Sequence, residues 1–439
     1  MSDQNYPEQN YPEQNYAFET LALHAGQEPD PATLARGIPV YRTSSYLFRD
    51  TAHAADLFSL KEFGNIYTRI MNPTQDILEK RISALEGGAA ALALSSGTSA
   101  IYYTIINLCS TGEEIVSANN LYGGTYTMFD AILPQFGIKA RLVDPMDPEN
   151  FSKAVNDKTR AIYVETIGNP VLDVVDLEAV AKIAEKHHLP LIVDSTFTTP
   201  YLLRPFDYGA HIVCHSLTKW LGGHGAGIGG IVVDSGRFDW TDPKFKLFNE
   251  PDNGYHGIRF AHDLGELNPL AFILRMRLVQ LRNLGACIAP DNAWMFLQGI
   301  ETLPLRMERH SENAAKVAEY LKDHGKVSWV RYPGLKADPS HSIARRYLKR
   351  GFGGMVVFGI RGGRKAGETF INSLRLLSHL ANVGDAKSLA LHPASTTHSQ
   401  LSEEDQLASG LTPDLVRLSI GLEHVDDIIG DIDQALART

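Results

Sequence analysis

Cysteine is scarce in this sequence, and the three that occur, Cys109, Cys214 and Cys287, lie far apart. This spacing argues against a disulfide framework or a zinc site and favours a reducing compartment. Long apolar runs are missing too, since none approaches the ~20 residues that a membrane-spanning helix needs. The first residues are polar and acidic, unlike a secretory signal or an arginine-rich transit peptide. We therefore expect a cytoplasmic protein.

Blocks of positive charge are also missing, and the formal net charge is −10 at pH 7. Nucleic acids and anionic membranes are bound by basic surfaces, so this charge argues against both kinds of partner. The 44% hydrophobic and 21% charged content is ordinary for a soluble globular protein. At ~150 residues per domain, the length predicts two or three domains. These properties favour an enzyme that acts on small molecules.

The chain divides into four predicted regions. Residues 5–16 read Asn-Tyr-Pro-Glu-Gln twice and begin a third copy, so we expect a mobile low-complexity tail over 1–16. Residues 17–74, broken by glycines and prolines, predict an extended N-terminal arm. A main domain is predicted over 75–300. The Leu303-Pro304 break in a helical stretch predicts a kink or hinge before a smaller α/β domain over 301–439.

From residue 89 onward, short apolar runs alternate with helix-like segments. This alternation predicts an α/β fold, a mostly parallel sheet with helices on both faces. Helical segments are predicted at 75–85 and 100–108, and the clearest is 176–188. The strand candidates of the main domain are 89–94, 114–117, 138–143, 161–166, 190–194, 212–214 and 229–233, and those of the smaller domain include 355–360 and 415–420.

The most informative stretch of the main domain is residues 211–224. A short apolar strand candidate ends in it, and Lys219 follows within a few residues. Ligands in open α/β sheets bind beyond the carboxyl ends of strands. Ser216 and Thr218 add hydroxyl groups, and glycines follow where a backbone can approach a ligand closely. The stretch predicts an imine-forming lysine beside a phosphate-bearing cofactor, with a surface lysine in a loop as the alternative.

Four further polar positions follow predicted strands. The turn at residues 96–98 opens a helix, whose free N–H groups and dipole favour a phosphate. Tyr122 offers a flat ring for stacking on a heteroaromatic cofactor. Asn169 follows the strand that ends near residue 166, and Asp194 is placed to hold a protonated pyridine nitrogen. Helix caps, a buried tyrosine and turn residues are the structural alternatives, but convergence with Lys219 on one sheet edge favours a site.

Two arginines stand in settings suited to anions. Arg69 provides a planar fork, and Tyr67 points to the same side if the segment is extended. The alternative is an exposed loop before a helix that Thr74 caps. Arg417 lies among apolar residues in a strand candidate, where a substrate carboxylate or a structural salt bridge would equally satisfy it.

Two other segments have weaker signals. The glycine run 225–230 matches G-x-G-x-x-G, but a strand pattern follows it, whereas a dinucleotide-binding motif needs a strand before and a helix after. We therefore reject a nucleotide site there. Residues 237–282 are rich in aromatic side chains and predict either an inserted loop that covers the site or a packed surface excursion.

These motifs together resemble the pyridoxal-phosphate enzymes of cysteine and methionine metabolism, from about Phe18 to the C-terminus. The resemblance includes the Tyr-x-Arg-x-x-Asn-Pro-Thr segment, the Ser-Gly turn, the Leu-Tyr-Gly-Gly-Thr loop and the Val-Asp-Ser-Thr strand end. Segments 165–170, 382–389 and 392–398 are similar to one branch of the family. The lysine signature is matched by Ser216, Thr218, Lys219, Gly222, Gly223 and His224.

The resemblance implies an aspartate-aminotransferase-like fold (fold type I) and pyridoxal 5′-phosphate as cofactor, with no metal. It implies that Lys219 holds the cofactor covalently and moves protons, that Asp194 pairs with the ring nitrogen, and that Tyr122 stacks on the ring. The other implied cofactor-binding residues are Tyr67, Arg69, Gly97, Thr98, Thr196, Ser216 and Thr218. The implied substrate-binding residues are Asn169, Ser388 and Arg417.

The resemblance also implies a partner and a reaction. Tyr67 and Arg69 would reach the phosphate of a neighbouring subunit, in a homodimer that usually pairs into a homotetramer. The implied reaction is γ-replacement, in which O-acetyl-L-homoserine and sulfide give L-homocysteine and acetate. Within the family, a γ-lyase, a cystathionine γ-synthase or an O-succinylhomoserine sulfhydrylase is the alternative. Outside it, the alternatives are a nucleotide-binding regulator and a catalytically silent oligomer acting through its tail.

Overall fold

The larger sheet of the protein has seven strands. The computed structural model describes residues 16–396 and 411–439; residues 1–15 of the predicted tail and residues 397 and 398 of the similar segment lie outside the described residues. The strands are β1 Ala90–Leu94, β2 Glu114–Ala118, β3 Lys139–Val143, β4 Thr159–Glu165, β5 Leu191–Asp194, β6 Ile212–Ser216 and β7 Gly230–Asp234.

Their order across the sheet is β1-β7-β6-β5-β4-β2-β3, with β7 antiparallel to both neighbours and every other neighbouring pair parallel. The predicted mostly parallel sheet is thereby confirmed, and each strand bound differs from its prediction by no more than two residues. Strands of a parallel sheet are covered on both faces, which is why they read as short continuous apolar runs.

Helices cover the larger sheet and continue into the smaller one. Their bounds are α1 Phe18–His24, α2 Thr51–Phe58, α3 Pro73–Glu86, α4 Gly97–Ile106, α5 Gly123–Thr127, α6 Glu149–Ala154, α7 Leu177–Lys186, α8 Thr199–Leu202, α9 Lys246–Asn249, α10 Ala271–Arg275, α11 Arg282–Leu284, α12 Pro290–Glu301, α13 Leu303–Lys322, α14 His341–Tyr347, α15 Gly363–Ser373 and α16 Val425–Leu436. Along the described part of the chain, no helix combines the length and apolar character that crossing a membrane requires.

The starts of α3 and α13 test two predictions, a helix cap at Thr74 and a helix break at Leu303-Pro304. The Leu303-Pro304 break is confirmed, because α12 ends at Glu301 and α13 starts with a proline in its first turn. The cap predicted at Thr74 is wrong. Asn72 caps α3 instead, since its side chain accepts from Thr74 N, while the Thr74 hydroxyl donates to Pro39 O.

Two segments without strong patterns form ordered structure. The arm over residues 17–74 contains α1 and α2, which the sequence did not predict. The aromatic side chains of 237–282 pack into the core rather than around a site. Trp240 and Phe248 are buried, and their stacked rings have centroids 4.7 Å apart. Of the two interpretations of that segment, the packed excursion is the one observed.

The smaller sheet has five strands, β8 Val327–Arg331, β9 Met355–Ile360, β10 Ser378–His379, β11 Leu389–Leu391 and β12 Leu415–Ser419. Their order is β10-β11-β12-β9-β8, and all neighbouring pairs are antiparallel except β10 with β11. Helices α13, α15 and α16 pack against it around Leu321, Phe358, Phe370 and Ile432. The strands predicted at 355–360 and 415–420 are confirmed.

Candidate active site

A cavity lies at the carboxyl ends of β4, β5 and β6, where parallel sheets place their ligands. The last residues of these strands, Glu165, Asp194 and Ser216, all line it. Ten of the thirteen site residues named from the sequence lie around this cavity. They are Gly97, Thr98, Tyr122, Asn169, Asp194, Thr196, Ser216, Thr218, Lys219 and Arg417.

Lys219 lies in the turn that follows β6, where its backbone N–H donates to Ser216 O at 3.2 Å. Its Nζ donates to Asn382 Oδ1 at 2.5 Å. Burial and, to a smaller extent, the nearby Arg417 guanidinium lower the pKa of Lys219 from 10.5 to about 8. The amine is therefore available in the neutral form that a nucleophile or a proton acceptor needs.

Asp194 and Glu165 end neighbouring strands and are paired directly in the register of the sheet. Burial raises the pKa of both carboxyl groups, and the Asp194 charge raises that of Glu165 further. Hydrogen bonds from Thr196 oppose the shift in Asp194, with Thr196 N donating to Oδ1 at 2.9 Å. Asp194 is thus the acid of the pair better suited to carry a negative charge.

The turn at the start of α4 forms an anion-binding surface. Ser96 caps the helix by accepting from Ser99 N at 3.0 Å. The N–H groups of Gly97 and Thr98 lie in the first turn, where helix geometry leaves them without an intrahelical acceptor, and they favour a phosphate. A Cβ on Gly97 would lie 2.6 Å from Ser216 Cβ, so only glycine lets the two segments approach this closely.

The glycine run 225–230 brings β7 against that turn. As predicted, a strand follows the run, because β7 begins at Gly230. A Cβ on Gly230 would collide with Ser96 O, and Thr218 Oγ1 accepts from Gly229 N at 3.1 Å. The glycines therefore serve close packing behind the anion-binding turn.

Tyr122 comes directly before α5, and its side chain is half exposed. Its backbone N–H donates to Glu165 Oε1 at 2.8 Å. A Cβ on Gly124 would lie 2.6 Å from the Tyr122 ring. Glycine at this position therefore allows the ring to pack against the first turn of α5. The result is a flat, accessible ring at the wall of the cavity, suited to stacking.

Arg417 reaches the cavity from β12 of the smaller sheet. Its Nη1 donates to Asn169 Oδ1 at 3.3 Å. Burial lowers the pKa of Arg417 to about 10, so the guanidinium still carries its charge at neutral pH. Among the ion pairs of residues 16–396 and 411–439, none joins Arg417 to a carboxylate, which favours a ligand carboxylate as its counter-ion.

These groups fit a phosphate-bearing aromatic aldehyde: a lysine of lowered pKa, a buried acid, a flat ring and a helix N-terminus surround one cavity. The sequence pattern of the family described as Cys/Met metabolism PLP-dependent enzyme matches residues 19–437. The chain belongs to this family. The resemblance seen in the motifs is therefore confirmed, and the cofactor is pyridoxal 5′-phosphate.

Individual members of the Cys/Met metabolism family are similar over almost their whole length. O-acetyl-L-homoserine sulfhydrylase of Leptospira meyeri is 56% identical over 424 residues, which cover 95% of this chain and 96% of that protein. Homocysteine synthase of Schizosaccharomyces pombe is 51% identical over 422 residues, which cover 95% of this chain and 98% of that protein.

A solved structure shares the fold of this family member. It is a Campylobacter jejuni protein described as a candidate O-acetylhomoserine (thiol)-lyase, with N′-pyridoxyl-lysine-5′-monophosphate. The two chains superpose with a TM-score of 0.92 and are 40% identical, covering 96% of this chain and 100% of the other. The predicted fold class is thereby confirmed.

Three residues named from the sequence do not line the cavity of this chain. Tyr67 and Arg69 lie on the arm, where the Arg69 guanidinium stacks on the Tyr67 ring at 5.2 Å. Ser388 is fully buried; its Oγ donates to Glu423 Oε2 at 2.9 Å and accepts from Gly421 N at 2.8 Å. Its side chain is therefore used within the protein.

Two residues at the cavity were not identified from the sequence as site residues. Asn382 accepts a hydrogen bond from Lys219 Nζ, and Glu165 accepts one from the backbone N–H of Tyr122. Both stand in segments that resemble the family, at the starts of 382–389 and 165–170, but their partners lie far away along the chain. Only the fold brings these pairs together.

Proposed function

We propose that this chain catalyses the γ-replacement that converts O-acetyl-L-homoserine and sulfide to L-homocysteine and acetate. The observation that carries the proposal is its similarity, over nearly the whole chain, to proteins named O-acetyl-L-homoserine sulfhydrylase and homocysteine synthase. The lysine, acid and arginine around one cavity supply the groups that this chemistry needs. The enzyme would be a transferase of methionine and cysteine biosynthesis.

Proton movement is assigned to Lys219. When bound, pyridoxal phosphate withdraws electrons from the amino-acid substrate and acidifies its α- and β-protons. The Nζ amine, whose pKa is about 8, accepts and returns those protons while Asn382 Oδ1 holds it at 2.5 Å. Loss of acetate from the γ-carbon and addition of sulfide there complete the exchange.

The cofactor would be held on three sides. Lys219 binds it covalently, the Asp194 carboxylate pairs with the ring nitrogen, and the Tyr122 ring stacks on it. Thr196 supports Asp194 through the hydrogen bond at 2.9 Å. The phosphate is assigned to the backbone N–H groups of Gly97 and Thr98 and to the hydroxyl groups of Ser216 and Thr218.

The substrate carboxylate is assigned to Arg417 and Asn169. Their hydrogen bond at 3.3 Å orients both groups at the cavity, and the guanidinium keeps its charge at neutral pH. Ser388 would contribute indirectly. Its bonds to Glu423 and Gly421 fix the end of the segment that begins at Asn382.

The complete site would need a second copy of this chain. Among the described residues that line the cavity, Lys219 and Arg417 are the two cations, and neither is assigned to the phosphate. Tyr67 and Arg69 of the neighbouring subunit would supply that charge. The arm also exposes apolar side chains, with Leu47 98% and Phe63 65% accessible, which suits burial against another copy. A homodimer paired into a homotetramer is the proposed assembly.

The remaining sequence predictions fit this proposal. A cytoplasmic location agrees with three free cysteines, of which Cys109 and Cys214 are buried. In the proposed division, the arm over 17–74 contacts the neighbouring subunit, the cofactor-binding domain over 75–300 carries Lys219 and Asp194, and the C-terminal domain over 301–439 carries Arg417.

A substrate panel tests the reaction. The purified holoenzyme is incubated with O-acetylhomoserine or O-succinylhomoserine plus sulfide, and separately with cystathionine or methionine alone. Homocysteine and acetate should form fastest from the acetyl ester, and Lys219→Ala should abolish turnover. Preferred use of the succinyl ester, or cleavage of cystathionine or methionine at a greater rate, would refute the proposed substrate.

A further inference from the structure

Two carboxyl groups meet inside the cavity, and only one has a role in the proposed chemistry. Glu165 and Asp194 are register partners on β4 and β5, so their backbones are about 4.8 Å apart and their side chains leave the same face of the sheet. Both line the cavity, and Glu165 is only 5% exposed. Two carboxylates this close in a buried site do not both ionise, so the pair retains one proton.

The surroundings decide which of the two acids keeps that proton. Asp194 accepts from the backbone N–H of Thr196, and the nearby His215 also favours its charged form. Glu165 accepts a single backbone N–H, from Tyr122, and faces the Asp194 charge. Stronger stabilisation of the charged form at Asp194 leaves the proton on Glu165.

The same carboxyl group fixes the stacking ring. Tyr122 stands at the first position before α5, and the helical stretch that begins there continues without a break through Phe136. The bond from Tyr122 N to Glu165 Oε1 ties this helix to the end of β4. The position of the ring above the cavity therefore depends on a side chain that lies 43 residues further along the chain.

We propose that Glu165 is a positioning residue that works as a neutral carboxylic acid, holding the Tyr122 ring in place while leaving Asp194 as the single negative charge of the pair. The inference rests on the proposed cofactor-binding roles of Tyr122 and Asp194. It assigns to this glutamate the function of a hydrogen-bond acceptor rather than that of an anion. An amide of the same shape should therefore replace it.

Three variants test this role. Glu165→Gln keeps a neutral acceptor, Glu165→Ala removes it, and Asp234→Asn is the matched control. Asp234 is also a fully buried acid, but it lies at the amino ends of the neighbouring strands, away from the cavity, paired with the first residues of β1 and β6. For each holoenzyme, cofactor dissociation is measured, visible circular dichroism reports the ring environment, and infrared difference spectra detect the C=O stretch of a protonated carboxyl group.

We expect the cofactor affinity and circular dichroism of E165Q to match those of the wild type. E165A should lose affinity by roughly tenfold, because the partly buried N–H of Tyr122 is left without its acceptor. The protonated-carboxyl band assigned to Glu165 should vanish in E165Q, and D234N should leave cofactor affinity unchanged. The proposal is overturned if E165Q is as impaired as E165A, or if E165Q loses no such band.

Each result remains interpretable alone. If E165A does not fold, the affinity and the infrared band of E165Q still decide the protonation state. If the wild-type protein binds cofactor but makes no homocysteine, the proposed reaction fails. The readouts for Glu165 do not involve turnover and would stand.

Discussion

Two basic side chains reach the same cavity. Burial lowers the pKa of both, but it leaves them in different charge states near neutral pH. The pKa of Lys219 falls to about 8, whereas that of Arg417 falls only to about 10. Near neutral pH the arginine keeps its charge and suits a carboxylate, while the lysine readily gives up its proton and suits chemistry. The two roles follow from the intrinsic basicity of each group, not from different surroundings.

The lowered lysine pKa predicts how cofactor capture depends on pH. The rate at which apoprotein captures pyridoxal phosphate should rise with pH with a midpoint near 8, because the neutral amine is the reacting form. In Arg417→Met the midpoint should move upward, since a neighbouring positive charge that disfavours the ammonium is gone. The midpoint should stay below 10.5, the ordinary pKa of a lysine, because burial lowers the pKa of Lys219 more than Arg417 does.

Stopped-flow absorbance gives both midpoints. The cofactor's own ionisations are common to the two proteins, so the difference between the midpoints reports on the lysine. Equal midpoints, or a lower one in Arg417→Met, would contradict the assigned interaction.

The site residues differ in how far the sequence could reveal them. Lys219, Asp194 and Tyr122 were identified because each follows an apolar run or belongs to a recognisable motif. Asn382 was not, because its partner Lys219 is 163 residues away and no local pattern links them. Glu165 was placed in a predicted strand and in the similar segment 165–170 but was given no role, because its hydrogen bond to Tyr122 arises from tertiary structure.

For helices and strands, burial in the folded protein determined which elements could be predicted from the sequence. Six of the seven strands of the larger sheet are almost wholly buried, and burial on both faces demands the apolar runs by which they were predicted; the edge strand β3 is partly exposed. Helices α1 and α2 were missed, since helices of seven and eight residues are marginal without tertiary contacts and leave a faint periodicity. The cap of α3 was misplaced by two residues because Asn-Pro-Thr offers two capping side chains.

Asn72, not Thr74, should therefore control the stability of α3. Asn72 also donates through Nδ2 to Tyr41 O and Thr68 Oγ1, so removing it has more than one effect. Asn72→Ser and Asn72→Ala both lose those donors, but only serine keeps a capping oxygen. The alanine variant should be less stable than the serine variant by about 0.5–2 kcal/mol in chemical denaturation. Equal free energies of unfolding would exclude the cap.

The contact between β7 and the anion-binding turn gives a second prediction at this scale. Gly230→Ala places a methyl group against Ser96 O and must push the turn away. We expect a loss of about 1–3 kcal/mol in the free energy of unfolding, with weaker cofactor binding. Gly325→Ala is the matched control, because its Cβ would meet open space. If both variants bind cofactor equally well, β7 does not support the turn.

In the whole molecule, the proposed site draws on both sheets and on a second copy. Strand β5 ends in the acid, the turn after β6 carries the lysine, and β12 carries the arginine. The arm supplies no lining residue to the cavity of its own chain, although it contains the tyrosine and arginine expected to contact phosphate. A sequence motif specifies such residues without saying which copy of the chain they serve.

Subunit mixing tests whether Arg69 contributes to the active site of its own chain or to that of the partner subunit. If Arg69 serves the partner's site, a hybrid dimer of Arg69→Ala and Lys219→Ala subunits contains one site with both defects and one intact site. Random pairing makes half of the dimers hybrid, so co-expression should restore about a quarter of the wild-type activity. Lys219→Ala co-expressed with Arg417→Ala is the control, since both residues line one chain's cavity and every site stays defective. Should the Arg69 mixture be no more active than that control, Arg69 acts within its own chain.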